Sequence, residues 1–271
     1  MRWSKDVKLS IIVPVYNEGP NLPITIETIQ NALGRTGLED SEIHIIDDGS
    51  TDRIYRSVED IPIRSHKHVF FYRFERNKGL GYAYHYGLLV ASESEYIMMV
   101  PGDGEMGVEG LVALLGALKA SAVETDIILA VPDSQRSRPL GRRLLSWLFI
   151  RLVNTIASLK IPYYNGPNII RQKLMPFSSE RIWLGTFYVR EFGIENSLLF
   201  CRSYAYMAKI VARLIRQGAT YTVAPFSLRP RNSGKSKALR LRSWLSVFVT
   251  LTGMVWDYRI RRMYPQRRRS R

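Results

Sequence analysis

Read from its amino end, the chain alternates short apolar runs with helical patterns. Residues 9–16, Leu-Ser-Ile-Ile-Val-Pro-Val-Tyr, are mostly apolar and β-branched, which reads as a strand buried on both faces. From Asn21 the apolar residues Leu22, Ile26, Ile29 and Leu33 recur at helical spacing, and Gly34 and Gly37 close the segment. The same reading predicts strands over 42–46, 69–74, 95–100, 126–131 and 220–226. Helices are predicted from Asn77-Lys-Gly-Leu-Gly to about Ala91, and over 108–118, 140–159 and 204–217. Such alternation implies right-handed crossovers and an α/β fold, a mostly parallel sheet flanked by helices. Residues 162–200 show no consistent period and are left unassigned.

Residues 239–258 form a different kind of helix. Small or polar residues at Ser243, Ser246, Thr250, Gly253 and Asp257 make one narrow stripe. Leu241, Trp244, Leu245, Phe248, Leu251, Val255 and Trp256 cover the rest of the surface. The uncharged run from Ser243 to Trp256 is 14 residues, roughly 21 Å of helix against a hydrocarbon core of about 30 Å. It is therefore expected to lie in a membrane interface, with tryptophans and arginines at headgroup level, the alternative being a helix packed on the protein's own core. The expected division is 1–230 for the sheet domain and 231–271 for a basic loop, this helix and an Arg-rich tail.

Charge sharpens that division. The 271 residues carry a net +15, yet the segment from Arg231 onward holds twelve Lys or Arg and one acid, Asp257. The body is close to neutral, and the basic end invites phosphates or an anionic membrane surface. A nucleic-acid partner is disfavoured, because only Tyr258 and Tyr264 accompany the arginines as stacking groups. Cys201 is the single cysteine, so neither an internal disulfide nor a thiolate metal cluster is expected. Met1-Arg-Trp-Ser-Lys-Asp lacks the apolar core of a signal peptide, and the expected location is the cytoplasmic face of a membrane.

Three turns follow strands directly: Tyr16-Asn-Glu18, Asp47-Asp48-Gly49 and Asp103-Gly-Glu105. Each alone is ordinary turn chemistry. Together, at the carboxyl ends of strands in a doubly wound sheet, they face the crevice where ligands bind. Converging carboxylates repel unless neutralised, and a hard divalent ion with a diphosphate is the natural partner. The expectation is that Asp48, Asp103 and Glu105 meet around one cation. His66 and His68 have no acidic third ligand nearby and read as a surface pair. Gly79-x-Gly81 is too short for a dinucleotide fingerprint.

Val13-Pro-Val-Tyr-Asn-Glu18 followed by Ile46-Asp-Asp-Gly-Ser-Thr-Asp52 resembles the start of the family-2 inverting glycosyltransferases with a GT-A fold, and Asn77-Lys-Gly-Leu-Gly-Tyr-Ala83 resembles their Gly-rich helix entry. Gly141-Arg142-Arg143-Leu-Leu-Ser146 and Arg231-Asn-Ser-Gly234-Lys-Ser-Lys237 are similar to segments of the dolichyl- and polyprenyl-phosphate sugar synthases of that family. The resemblance implies transfer of a sugar from a nucleotide-sugar donor to a polyprenyl phosphate, with Mg²⁺ or Mn²⁺ as cofactor. It implies that Pro14, Tyr16, Glu18, Asp47, Asp48, Pro101 and Gly102 surround the donor. Asp103 and Glu105 would bind the metal, and Asp103, Arg231 and Lys237 would act on the diphosphate. Arg136, Arg142 and Ser146 would hold the acceptor phosphate.

The chain departs from that pattern twice. Pro101 stands where the family's D-x-D motif has its first acid, and Tyr163-Tyr-Asn-Gly166 stands where many relatives have an acidic turn. Two other functions stay open beside lipid glycosylation. One is extension of a glycan, which needs a general base such as Glu191 or Glu195. The other is a membrane module that binds nucleotide sugars without catalysis.

Overall fold

The computed structural model describes residues 7–52, 55–91, 93–121, 124–133, 140–175, 205–227, 229 and 241–260; of Arg142 and residues 241–246 it describes the backbone alone. Strands β1 (Leu9–Val15), β2 (Glu42–Asp47), β3 (Val69–Arg73), β4 (Tyr96–Met99), β5 (Ile127–Pro132), β6 (Ile169–Arg171) and β7 (Tyr221–Phe226) form one sheet in the order β3-β2-β1-β4-β6-β5-β7. All neighbours run parallel except β6, which is antiparallel to both β4 and β5. That strand is what the unassigned stretch conceals. Its three residues are too few to show a period.

The helices are α1 (Leu22–Thr36), α2 (Leu80–Val90), α3 (Val108–Ser121), α4 (Leu140–Ala157), α5 (Tyr206–Arg216) and α6 (Leu241–Val255), the last continuing as a π-helical turn, Trp256–Ile260. Alternate strand residues serve opposite faces. Ile11, Val13 and Val15 of β1 join Ile26 and Ile29 of α1 and Leu114 of α3 on one side. Ile12 joins Ala83 and Leu88 of α2, Val153 of α4 and Val211 of α5 on the other. Each such Val, Leu or Ile side chain, fully buried, stabilises by about 1.5–3 kcal/mol before entropy is counted. Helix α1 starts with proline in its first turn and ends on Gly37 at φ 65°, whose neighbour Leu38 donates to the Leu33 carbonyl at 3.0 Å.

The C-terminal helix packs on the protein's own core along one side, the alternative raised for it above. Leu251, Met254 and Tyr258 enter the core beside α4 and α5, while Phe248, Val249, Val255 and Trp256 stay exposed. Leu251 thus belongs to the core-facing side of what reads in sequence as a uniformly outward apolar surface. The Arg216 guanidinium donates to the Ala157 carbonyl at 2.6 Å and lies 4.8 Å over the Tyr258 ring, while Arg259 donates to the Thr155 carbonyl. These contacts fasten the end of the helix to the end of α4. Tyr163 and Tyr164 are also structural: both are buried, and the Tyr164 hydroxyl donates to Asn154 of α4 at 2.7 Å.

Gly87 lets α2 lie directly on β1, since a Cβ there would sit 2.4 Å from Ile12 Cγ2. Gly87→Ala is therefore expected to destabilise the fold by about 1–3 kcal/mol. Urea unfolding measures this, and an unchanged midpoint would show that the contact is not tight.

Candidate active site

The strand order reverses between β1 and β4, the place where open α/β sheets bind ligands beyond the carboxyl ends of their strands. Pro14 sits at this edge. The carbonyls of Ile12 and Pro14 accept from Val100 and Gly102, so the N–H that proline lacks would face the same side, where β4 has already ended at Met99. The Gly102–Pro14 bond is 3.2 Å, and a Cβ on Gly102 would come within 3.1 Å of Val15. Pro14, Pro101 and Gly102 accordingly share one corner.

The loop after β2 is built from buried carboxylates. Asp48 is 3% exposed, and its carboxylate accepts from Lys78 N at 2.7 Å, Gly79 N at 2.9 Å and Asn77 Nδ2 at 2.9 Å. Burial pushes its carboxyl above the ordinary range, while the Lys78 and Gly79 N–H groups pull it back. Asp47 accepts from Ser50 N at 2.9 Å, and its other oxygen lies 3.7 Å from the Arg73 guanidinium. Gly49, at φ 72°, passes so close to Arg76 that a Cβ would lie 2.5 Å from its backbone. Asn17, itself at φ 54°, donates its N–H to Ser50 Oγ at 2.9 Å and accepts from Thr51 N at 2.7 Å, tying the first loop to the second. Glu18 accepts from Asn21 Nδ2 at 2.8 Å at the start of α1, and Tyr16 is half-buried.

The third turn is held differently. Gly104, at φ 72°, donates its N–H to Thr25 Oγ1 of α1 at 3.1 Å, and Asp103 accepts from Glu105 N at 3.2 Å. The Glu105 carbonyl accepts from Arg229 N at 2.7 Å, and the Arg229 side chain covers Gly107 at 3.3 Å from where a Cβ would be. Both Asp103 and Glu105 are half-buried. Arg229 lies two residues before Arg231, so the basic segment starts from the acidic turn. Arg231, Lys237 and Arg136 are outside the described residues, as is the side chain of Arg142; Ser146 is half-buried on α4.

The expectation that three carboxylates meet around one cation is not met: among the described residues no group of three Asp, Glu, His or Cys could hold a metal. The Asp48 oxygens are occupied by the segment Asn77–Gly79, and those of Asp47 by Ser50 and Arg73. Asp103 and Glu105 are a pair of hard oxygen donors. They fit a Mg²⁺ or Mn²⁺ that takes its remaining ligands from diphosphate and water, and not an ion caged by protein alone. Sequence reasoning passed over Asn17, Ser50, Thr25, Asn77 and Arg229. Polar residues in loops are ordinary, and only the pairing across loops gives these five a role.

The model of the family described as glycosyl transferase family 2 matches residues 10–180. The chain belongs to that family. Its curated relatives include the dolichol-phosphate mannosyltransferase of Pyrococcus furiosus, 26% identical over 95% of this chain and 66% of that protein. Polyprenol monophosphomannose synthase of Mycolicibacterium smegmatis is 25% identical over 84% of this chain and 79% of its own. The dolichyl-phosphate beta-glucosyltransferase of Dictyostelium discoideum is 34% identical, but the match spans only 36% of this chain and 32% of that one. Among solved structures, glucosyl-3-phosphoglycerate synthase from Mycobacterium tuberculosis, with Mn²⁺ and uridine-diphosphate-glucose, aligns with TM-score 0.57 at 17% identity over 92% of this chain and 79% of its own. S. aureus TarS 1-349 with UDP-GlcNAc aligns with TM-score 0.56 at 14% identity, over 93% of this chain and 67% of that chain. At such identities the likeness shows the fold alone, the GT-A arrangement that the sequence resemblance implies.

Asp48→Asn replaces one of the two accepting oxygens by an NH₂, which then faces either Lys78 N or the pair Asn77 Nδ2 and Gly79 N. The substitution is expected to cost about 1–3 kcal/mol and to speed hydrogen exchange at Lys78 and Gly79. Exchange at those amides equal to the native protein's would remove Asp48 as organiser of the loop.

Proposed function

We propose that this family-2 chain moves a sugar from a nucleoside-diphosphate sugar to a polyprenyl phosphate, with inversion at the anomeric carbon. The observation that carries the reading is the Asp103-Gly104-Glu105 turn, pinned to α1 through Thr25 and to the start of the basic segment through Arg229, beside the loops after β1 and β2. Anionic and cationic groups thus flank one edge of the sheet, as a departing diphosphate requires. Relatives named as dolichol-phosphate and polyprenol sugar transferases support a lipid phosphate as acceptor.

The chemistry asks little of a general base. A phosphate monoester is already ionised near neutral pH, so the acceptor attacks without losing a proton to the protein. What the chain must do is orient the attack and screen repulsion between two anions, for which arginine forks are suited. In this reading Pro14, Tyr16, Glu18, Pro101, Gly102 and the loop shaped by Asp47 and Asp48 enclose the nucleoside. Arg231 and Lys237 meet the donor diphosphate, and Arg136, Arg142 and Ser146 meet the acceptor phosphate. Asp103 and Glu105 hold Mg²⁺ or Mn²⁺, which when bound supplies charge neutralisation on the leaving group. The reaction belongs at the cytoplasmic face of an anionic membrane, with residues 231–271 lying on it. No helix among the described residues is long and apolar enough to cross a membrane.

The test incubates the protein with labelled nucleotide sugars, polyprenyl phosphate and Mg²⁺ or Mn²⁺. Label is expected in the lipid phase only when polyprenyl phosphate is present, and Asp103→Ala is expected to lower the rate about a hundredfold or more. Label in water-soluble glycans would select the glycan acceptor; no transfer to any acceptor would select the binding module. Unchanged turnover by Asp103→Ala would remove the metal assignment.

A further inference from the structure

Helix α4 is apolar on two opposite sides. Val153, Ile156 and Ala157 are buried in the core, with Phe149 and Ile150 partly so. On the other side Leu140, Leu144, Trp147, Leu148 and Leu152 are 77, 63, 53, 55 and 43% exposed. Their spacing of four, three, one and four places them on a single stripe. Two apolar sides on one helix call for two apolar neighbours, and only one of those is the protein's own core.

The charges on this element have one sign. Between Leu140 and Lys160 there is no Asp or Glu, and Arg142, Arg143, Arg151 and Lys160 are cationic. Beside the helix runs a groove of about 1180 Å³, with Leu144, Trp147 and Ile150 on its apolar part and Arg143, Arg151 and Lys160 as its cations. The Arg151 guanidinium lies 5.3 Å over the Trp147 ring, which places an aromatic and a cation at the same level. The second apolar face, Phe248, Val249, Val255, Trp256 and Ile260, belongs to the C-terminal helix. Arg259 bonds that helix to the Thr155 carbonyl at the end of α4, so the two helices are tied together there.

We infer that the outer stripe of α4 is itself a membrane-docking surface, which enters the interface of an anionic leaflet together with the C-terminal helix. Leu144, Leu148 and Leu152 sit at the acyl boundary, Trp147 and Trp256 stand at headgroup depth, and lipid phosphates meet Arg143, Arg151 and Lys160. A neutral apolar partner protein would leave these cations unmatched, whereas an anionic leaflet matches both the stripe and its rim. The inference deepens the proposed function by naming where the enzyme meets its membrane. Its binding test contains neither donor nor acceptor, so the two can fail separately.

The full chain is mixed with vesicles of phosphatidylcholine alone or with phosphatidylglycerol, and cosedimentation is measured. The native protein is expected to bind the anionic vesicles more tightly. Leu148→Glu/Leu152→Glu is expected to weaken that binding by at least about tenfold, because two apolar side chains leave the lipid and two like charges enter. Both positions are exposed, so circular dichroism and thermal midpoint are expected to stay unchanged. Transfer to detergent-dispersed polyprenyl phosphate is expected to survive as well. Brominated lipid should quench native tryptophan fluorescence, and Trp147→Phe should remove part of that quenching, which gives a readout even where the double variant misfolds. Vesicle binding by a folded double variant equal to the native protein's would overturn the inference, as would quenching unaffected by Trp147→Phe. So would a native dimer in lipid-free buffer that the double variant dissolves while neither protein binds vesicles. If vesicle binding behaves as expected but no sugar moves, the docking surface stands and the transferase reading falls.

Discussion

A buried carboxylate held by two backbone N–H groups and a side-chain amide is the constraint on which the ligand edge of this protein depends. Asp48 lies almost wholly out of water, and three donors from the segment Asn77–Gly79 converge on it. An ionised carboxylate in that setting is costly unless every lone pair finds a partner, so the segment must take the one course that supplies them. That course sets the entry of α2. Asp47 does the same for the turn to Ser50, with Arg73 as counter-charge from β3. Two adjacent acids thereby fix two loops at the carboxyl end of the sheet, beside the corner shared by Pro14, Pro101 and Gly102.

This division of labour separates acids that are identical in sequence. Asp47 and Asp48 act on the protein itself, Asp47 through a hydrogen bond inside its own loop and Asp48 through bonds to the segment Asn77–Gly79. Asp103 and Glu105 lie half-buried on a turn whose backbone is secured by Thr25 and Arg229, so the turn keeps its place without drawing on a further carboxylate. The loss of an acid at Pro101 is consistent with that economy. A cation held partly by the donor's own diphosphate requires one or two protein carboxylates, and this turn offers two.

Much of the fold was legible because the signals were periodic. Buried parallel strands are apolar runs, and the helices between them repeat at 3.6 residues, so β1 to β5, β7 and the six α-helices among the described residues were foreseen within a few residues. Strand β6 was not, because three residues inserted antiparallel between β4 and β5 carry no periodic pattern and answer only to tertiary pairing. The site was legible as a set of strand-end turns and through family resemblance, but the roles within it were not. Nothing local distinguishes an Asp that caps a loop from one that faces a ligand; the difference lies in Asn77, Lys78 and Gly79, about thirty residues away. The two-sided apolar character of α4 was likewise hidden, since a helical stripe facing the core and one facing outward look the same in sequence.

The central claim is that the acidic turn and the donor diphosphate complete one cation site that neither makes alone. Electron paramagnetic resonance of Mn²⁺ titrated into the protein, with and without a nucleoside diphosphate, tests it most directly. The account predicts that little Mn²⁺ is immobilised by the protein by itself, and that adding uridine or guanosine diphosphate produces a bound signal beyond that of the nucleotide with Mn²⁺ alone. Tight immobilisation of Mn²⁺ without any nucleotide, or no added signal from the protein when nucleotide is present, would contradict it.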